Sequence, residues 1–446
     1  MDEDLATIPG SSSCGRLRVC VIVLGDVGRS PRMQYHAQSL LEDVPERTIH
    51  VDVVGYGDSP LIDALRSRVA TTVAGSDEDE DEDATLNVHY LPNAKGGGGG
   101  LIVRTLRRSL SLLYVLLFRI EWGVTHVMVQ NPPAIPTLPI VWLVCRLRGA
   151  AFVIDWHNYG HTIMRLQRPS GGVVLRCAEW IERTFGAYGD RHLCVTDAMR
   201  RDLIRQWGLP PARIRAFHDR PAAMYRPSSA SQKTELLRRL SEGDDETGAA
   251  FRRAFEMTRS GGSLKILVSS TSWTPDEDFG LLFRALEQYD RSDDATPLLC
   301  VITGKGPQRA YYERRMREKP FRRVVVATAW LTFDDYVTLI GSADVGVSLH
   351  TSSSGLDLPM KVIDMFGCQL PVCAIDFSCL RELVRHGENG LVFADSDQLA
   401  TQLIRLLATE EGTRELAAYR KNLRSFREDG WKTRWKRIVR PLFAGR

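Results

Sequence analysis

The chain has no apolar run long enough to cross a bilayer. Its longest early candidate, Val19 to Gly25, is too short for a span and suits a buried strand. It has no Asn-x-Ser/Thr sequon, and it opens on the acidic Met1-Asp2-Glu3-Asp4 without the apolar stretch of a secretory signal. A cytosolic setting is the expectation. No pair among the 9 cysteines has metal-site spacing, and Cys368, Cys373 and Cys379 lack a partner cluster of Cys or His, so the thiols read as reduced and mostly buried. The net charge is only +3 and no nucleic-acid motif occurs, which excludes nucleic acid as the implied partner. A strict GxGxxG turn is also missing, which argues against a dinucleotide fold in the narrow sense.

What is present is a βαβ rhythm, twice. Short apolar, β-branched runs at 17–24, 49–56, 86–90, 126–130, 151–155, 191–196 and 213–217 alternate with helical patterns. The rhythm restarts at 264–269, 298–303, 324–327, 345–349, 372–374 and 391–393. With 446 residues, the expected class is α/β, with two Rossmann-like domains facing a cleft. The expected boundaries are 16–227 for the first domain, 228–262 for a Ser/Glu/Asp-rich linker, 263–425 for the second domain and 426–446 for a final helix. An acidic run at 77–83 and a glycine run at 96–100 read as surface loops. The segment 101–120 mixes Arg104, Arg107, Arg108 and Arg119 with Leu110, Leu112, Tyr114, Leu116 and Phe118. Such a helix fits a membrane interface or a core position equally, as does the apolar segment 136–148.

The strongest chemical signal is Ser348-Leu349-His350-Thr351-Ser352-Ser353-Ser354-Gly355-Leu356-Asp357-Leu358-Pro359-Met360-Lys361-Val362-Ile363-Asp364. A strand runs into a Ser/Gly loop and then into a helix starting near Pro359, with Asp357 expected as its cap. Free N–H groups and the positive helix end suit an anion, with Ser353, Ser354 and Gly355 beside them. Lys361 and Asp364 share a helix face and suit a diphosphate and a ribose; a capped helix with a solvated Lys–Asp pair fits the same spacing. Thr303-Gly304-Lys305-Gly306-Pro307 adds a cation at the same sheet edge. Thr274 and Glu277 have capping-box spacing, and Asp276, Glu277 and Asp278 would repel phosphate there.

In the first half, four polar clusters follow strands: Gly25-Asp26-Val27-Gly28-Arg29-Ser30-Pro31-Arg32, Gln130-Asn131-Pro132-Pro133, Asp155-Trp156-His157-Asn158 and His218-Asp219-Arg220-Pro221. Each alone suits a structural loop; four at one sheet edge suit a binding site.

These stretches, together with Thr274-Pro275-Asp276-Glu277-Asp278 and the 348–367 segment, run in order over nearly the whole chain. The set resembles glycosyltransferase family 33, the chitobiosyldiphosphodolichol β-mannosyltransferases. The resemblance implies the two-domain glycosyltransferase B fold, GDP-mannose as donor and dolichol-diphosphate-linked chitobiose as acceptor. The product is the first β1,4-mannose of the N-glycan precursor, made at the cytosolic face of the endoplasmic reticulum membrane. The final helix, around Trp431 and Trp435, is expected to return to the first domain.

Family members usually begin with an apolar anchor and this sequence opens without one. Attachment is therefore expected through 101–120 or through partners such as other N-glycan precursor transferases. Forming a β-mannoside from an α-linked donor implies inversion in one displacement, with a base and a stabilised leaving diphosphate. The resemblance implies donor binding by Lys305, Trp330, Ser353, Ser354, Gly355, Lys361 and Asp364, with Trp330 over the base and no required metal or cofactor. Acceptor binding falls to Gly28, Arg32, Asn131 and Arg220, and the general base to Asp26, then His157 or Asp155. Ser354 stands where related retaining enzymes carry Glu, which fits inversion. Two alternatives remain open at this point: a retaining transferase with another donor, and a silent scaffold homologue.

Overall fold

The computed structural model describes residues 16–44, 48–73, 84–92, 100–167, 172–257, 264–274, 277–318 and 321–443. The runs at 77–83 and 96–99 lie outside the described residues. The chain divides into two compact units.

The first unit runs through Cys194 and adds Asp202–Phe217 and Trp435–Arg446. Its strands are β1 (Leu17–Asp26), β2 (Ile49–Tyr56), β3 (Ala84–Tyr90), β4 (His126–Asn131), β5 (Ala151–Trp156), β6 (Arg191–Cys194) and β7 (Ile214–Ala216). All pair in parallel, in the order β3-β2-β1-β4-β5-β6-β7. Parallel strands need covered faces on both sides, which is why β1 and β5 are almost continuously apolar and buried. The order reverses between β1 and β4, and a doubly wound sheet opens a crevice at the carboxyl ends of such a pair.

The second unit comprises Val195–Arg201 and His218–Arg434. Its strands are β8 (Lys265–Ser270), β9 (Leu298–Thr303), β10 (Val324–Ala329), β11 (Val345–Ser348), β12 (Val372–Ile375) and β13 (Gly390–Phe393). The order is β10-β9-β8-β11-β12-β13, again with a switch point, here between β8 and β11. Side chains alternate between two cores with the period of a strand. Leu298, Cys300 and Ile302 of β9 join Leu282, Leu286 and Leu403 on one face. Leu299 and Val301 join Phe251, Leu339 and Phe366 on the other.

Two expectations are corrected. The stretch read as a linker, 228–262, holds helices Ala230–Ser241 and Glu246–Glu256, whose Leu236, Leu237, Phe251 and Ala254 are buried in the second core. Its polar composition reflects the solvent faces of those helices. The first capping box in that stretch is Ser229 with Gln232. The final segment rejoins the first unit only from Trp435 onward; 426–434 stay with the second. Trp435 is fully buried, and its Nε1 donates to Nδ1 of His36 at 3.0 Å.

Helix Leu101–Tyr114 and the following turn Val115–Arg119 carry both a buried and an exposed apolar side. Leu112, Val115, Leu116 and Ile120 face the core, while Leu106, Leu110, Tyr114, Phe118 and Trp122 are exposed. Arg148, at the end of helix Thr137–Arg148, donates to the carbonyls of Leu117, Ile120 and Glu121 and so closes the open end of that turn. No helix among the described residues is long and apolar enough to cross a membrane.

Candidate active site

In the second unit the loops after β8, β9 and β11 meet at the switch point. Residues Glu277 and His350 form an antiparallel bridge that ties the β8 loop to the β11 loop. Gly304 has φ +130°, and a Cβ there would meet the Thr271 carbonyl oxygen at 1.9 Å; a Cβ on Gly306 would meet the Ser272 oxygen at 1.8 Å. Both glycines are therefore demanded by backbone approach. Between them Lys305 is held exposed, with Nζ 4.2 Å from the centroid of the Trp330 ring. The indole face expected to cover a base thus carries the Lys305 cation.

Helix Met360–Gly367 starts at Pro359 with no side-chain cap and no acidic residue in its first turn. Its N-terminal N–H groups and dipole are left for an anion. Asp357 was expected to cap this helix. It instead accepts from the Ser352 hydroxyl and, at 3.5 Å, from Ser354. The Ser352 and Ser354 hydroxyl oxygens each accept the Leu356 N–H at 3.2 Å. Gly355, at φ +72°, makes the turn, and its carbonyl accepts from the Ser378 hydroxyl. The serines therefore shape the loop as well as offering hydroxyls.

Lys361 and Asp364 do not pair with each other but with different segments. Lys361 Nζ lies 3.1 Å from Glu277 Oε1 and 3.5 Å from Ser272 Oγ. Glu277 is 3% exposed and also accepts from the Thr271 hydroxyl and the Ser272 N–H. The capping box Thr274–Glu277 does not form: Asp278 caps helix Phe279–Arg291 through the Gly280 N–H. Asp364 is largely buried, and that burial raises its pKa to about 7; the Tyr225 hydrogen bond lowers it and the nearby Asp219 charge raises it.

In the first unit a buried polar cluster sits at the ends of β1 and β5. Asp155 is fully buried and takes Arg32 in a fork, Nε to Oδ2 at 2.8 Å and Nη2 to Oδ1 at 2.9 Å. His157 Nε2 lies 3.0 Å from Oδ2, and His36 Nε2 lies 3.3 Å from it. Because Trp435 donates to His36 Nδ1, the proton of His36 sits on Nε2, facing Asp155. Burial also depresses the pKa of His36. The Asp155 carboxyl, although burial alone would raise it, is held well below the usual range by Arg32 and the two histidines.

The Asp155 carboxylate is thus engaged by Arg32 and holds the ring of His157 through Nε2. With Nε2 turned to Asp155, Nδ1 is the His157 nitrogen able to take a proton.

The other expected residues of this unit are placed as follows. Arg32 is buried, and its guanidinium donates to Asp155 and to the Phe217 carbonyl. Asn131 is buried, with Nδ2 donating to Glu182 at 2.7 Å. Asp26 accepts from the N–H groups of Gly28 and Ser59 and from the Ser59 hydroxyl, which outweigh burial and lower its pKa. Gly28 packs on the backbone of Ser59 and Pro60, where a Cβ would clash at 2.5 Å. Asp26 and Gly28 therefore pin the β1 turn.

The fourth cluster, 218–221, belongs to the second unit. Arg220 donates from Nε to the Asp429 carbonyl and lies over the Phe426 ring; burial and Arg434 press its pKa down to about 10. His218 pairs with Glu382 at 2.9 Å. Asp197, His218 and Glu382 are the one group among the described residues with metal-type atoms gathered together; Glu382 there already accepts the N–H groups of Asp197 and Ala198. Sequence reading missed Glu277, Ser352, His36 and Glu182. Ser352 stood in the serine motif without a role of its own, and Glu277 was read only as a capping-box acid that would repel phosphate.

Comparisons with known proteins identify the family and the fold. A family described as "Glycosyl transferase 4-like domain" matches residues 33–219, and "Glycosyl transferases group 1" matches 264–409. The chain is 41% identical over 445 residues to a Pongo abelii protein named chitobiosyldiphosphodolichol beta-mannosyltransferase, covering 95% of this chain and 92% of that one. It is 36% identical over 467 residues to an Arabidopsis thaliana protein named UDP-glycosyltransferase TURAN, covering 96% and 97%. Among solved structures, Anabaena Alr3699/HepE in complex with UDP superposes with TM-score 0.61 at 14% identity, covering 96% of this chain and 99% of that one, a likeness of fold.

Proposed function

The chain belongs to the chitobiosyldiphosphodolichol β-mannosyltransferases, and from that membership we propose that it moves mannose from GDP-mannose to chitobiose linked to dolichol diphosphate, with inversion. The near full-length relation to enzymes of that name carries the reading. The paired switch points, one with an uncapped helix and two cations, support it.

In this reading the second unit holds the donor. The diphosphate lies against the N-terminus of Met360–Gly367 and the Ser353–Gly355 turn, with Lys361 and Lys305 neutralising the charge that grows on the leaving group. Asp364 accepts the ribose hydroxyls, and Trp330 borders the base. The first unit holds the acceptor. The acceptor 4-hydroxyl oxygen attacks C1 of mannose, the bond from C1 to the phosphate oxygen breaks, GDP departs, and Nδ1 of His157 takes the hydroxyl proton. Asp155 steadies the imidazolium that forms. The α-linked donor thereby gives a β-linked product. No divalent metal is needed for the leaving group.

The acceptor lipid places the reaction at a membrane, the cytosolic face of the endoplasmic reticulum in our reading. The exposed Leu106, Leu110, Phe118 and Trp122, flanked by exposed Arg104, Arg107 and Arg119, suit the plane of an anionic interface.

The test is transfer from GDP-mannose to phytanyl-diphosphate-linked chitobiose, with the product's anomeric configuration read by NMR and UDP-glucose as the control donor. A β-mannoside is expected. An α-linked product, or transfer only from UDP-glucose, contradicts the reading.

A further inference from the structure

Beside the His157 cluster, in the same unit, lies a cavity of about 280 Å³ formed where the β4 loop faces helices Gly160–Gln167 and Gly172–Gly186. Its wall includes Pro132, Pro133, Ile135, Ile163, Met164 and Ala178. The one buried charge in the wall, Glu182, is turned inward. Its Oε1 accepts from Asn131 Nδ2 and the Gly160 N–H, both at 2.7 Å, and its Oε2 from the His161 N–H at 3.1 Å and from His161 Nδ1 at 2.7 Å.

That arrangement decides what the cavity can hold. A sugar or phosphate needs unspent donors, and a carboxylate already occupies the N-terminus of helix Gly160–Gln167, the place where an anion would sit. The remaining surface is hydrocarbon, shaped by prolines and branched side chains. The same two helices also leave apolar residues exposed, Leu166, Val173, Val174 and Trp180, with Arg165 and Arg176 exposed as well. An apolar slot on helices that also expose cations is complementary to a lipid whose branched hydrocarbon begins at a diphosphate.

We infer that this cavity binds the first isoprene units of the acceptor lipid, next to the diphosphate. The inference rests on the acceptor reading above and deepens it. The lipid chain then contributes to acceptor affinity, and the chitobiosyl group is brought toward His157 by a tether two residues beyond the catalytic segment, at Gly160. The cavity has room for a short branched segment and not for a whole polyisoprenoid, whose remainder stays in the bilayer.

The experiment compares two acceptors, phytanyl-linked and methyl-capped chitobiosyl diphosphate, in the full chain and in Ala178→Leu, which narrows the cavity. The wild type is expected to show a lower KM for the phytanyl acceptor. The variant raises that KM on the order of tenfold, with kcat and the KM for the methyl-capped acceptor unchanged. Met164→Gln, at a half-buried wall position, serves if thermal melting shows that Ala178→Leu is unfolded, with the same outcome expected. Equal wild-type KM values for the two acceptors, or a variant that affects both alike, overturns the cavity assignment and leaves the acceptor reading standing. Wild-type transfer to neither acceptor overturns the acceptor reading and this inference with it.

Discussion

The ammonium of Lys361 sits 3.1 Å from Oε1 of Glu277, a carboxylate the chain buries almost completely. The pair joins the first turn of the Met360–Gly367 helix to the β8 loop, and Ser272 takes a second contact from the same nitrogen. An ammonium has three protons to donate, so one remains for a ligand. Lys361 is thus aimed by Glu277 without being fully spent.

This predicts an ordered pair of mutants. Lys361→Met lowers kcat/KM for GDP-mannose by on the order of a hundredfold. It also lowers the melting temperature, since Glu277 is left charged and buried. Glu277→Gln acts through Lys361 and costs about tenfold. The double mutant is no slower than Lys361→Met and melts higher than it. Steady-state kinetics and thermal melts of all three check the coupling.

His157→Ala is expected to lower kcat by roughly 10²–10⁴ with GDP affinity unchanged. Asp155→Asn does the same through loss of orientation and costs stability as well, about 3–5 kcal/mol, because Arg32 loses its buried partner. Asp26→Asn keeps its hydrogen-bonding reach to Ser59 and retains at least a tenth of wild-type turnover. If Asp26→Asn is inactive and His157→Ala is not, the base is misassigned.

Asp364 makes stability depend on pH. Its carboxyl is raised from 3.8 to about 7 in the folded chain. The unfolded chain therefore ionises first, and this group withdraws stability as pH rises from 3.8 to about 7. The loss is about 1.4 kcal/mol per pKa unit. Asp364→Asn should melt higher than wild type at pH 8 and alike at pH 4, while weakening GDP-mannose binding about tenfold through the lost ribose contact. Melting curves across that range, with nucleotide titrations, measure both.

The exposed face of helix Leu101–Tyr114 predicts lipid binding that falls with salt. Leu110→Asp with Phe118→Asp should release the chain from phosphatidylserine vesicles in a flotation assay, with turnover on the methyl-capped acceptor unchanged.

Every strand of both sheets was legible, the central ones because doubly covered parallel strands must be apolar runs such as Val19 to Leu24 or Leu298 to Ile302. The helices at 230–256 were not, since their buried residues are few and their other faces are charged. The serine loop and Lys361 were legible from strand, turn and helix signals in a row. Arg32 was visible as a cation, but its partner Asp155 lies 123 residues away, and no local pattern distinguishes a buried fork from a free guanidinium. His36 and Trp435, 399 residues apart, are the extreme case. Tertiary pairing decided which polar residues were free to act.

The central claim is that the leaving diphosphate rests on the uncapped helix at Pro359. A crystal structure with GDP bound tests it most directly. The account predicts both phosphorus atoms within hydrogen-bonding reach of the Gly355 turn and of Lys361 Nζ; phosphorus atoms bound elsewhere on the second unit, with Lys361 still closed on Glu277 alone, would contradict it.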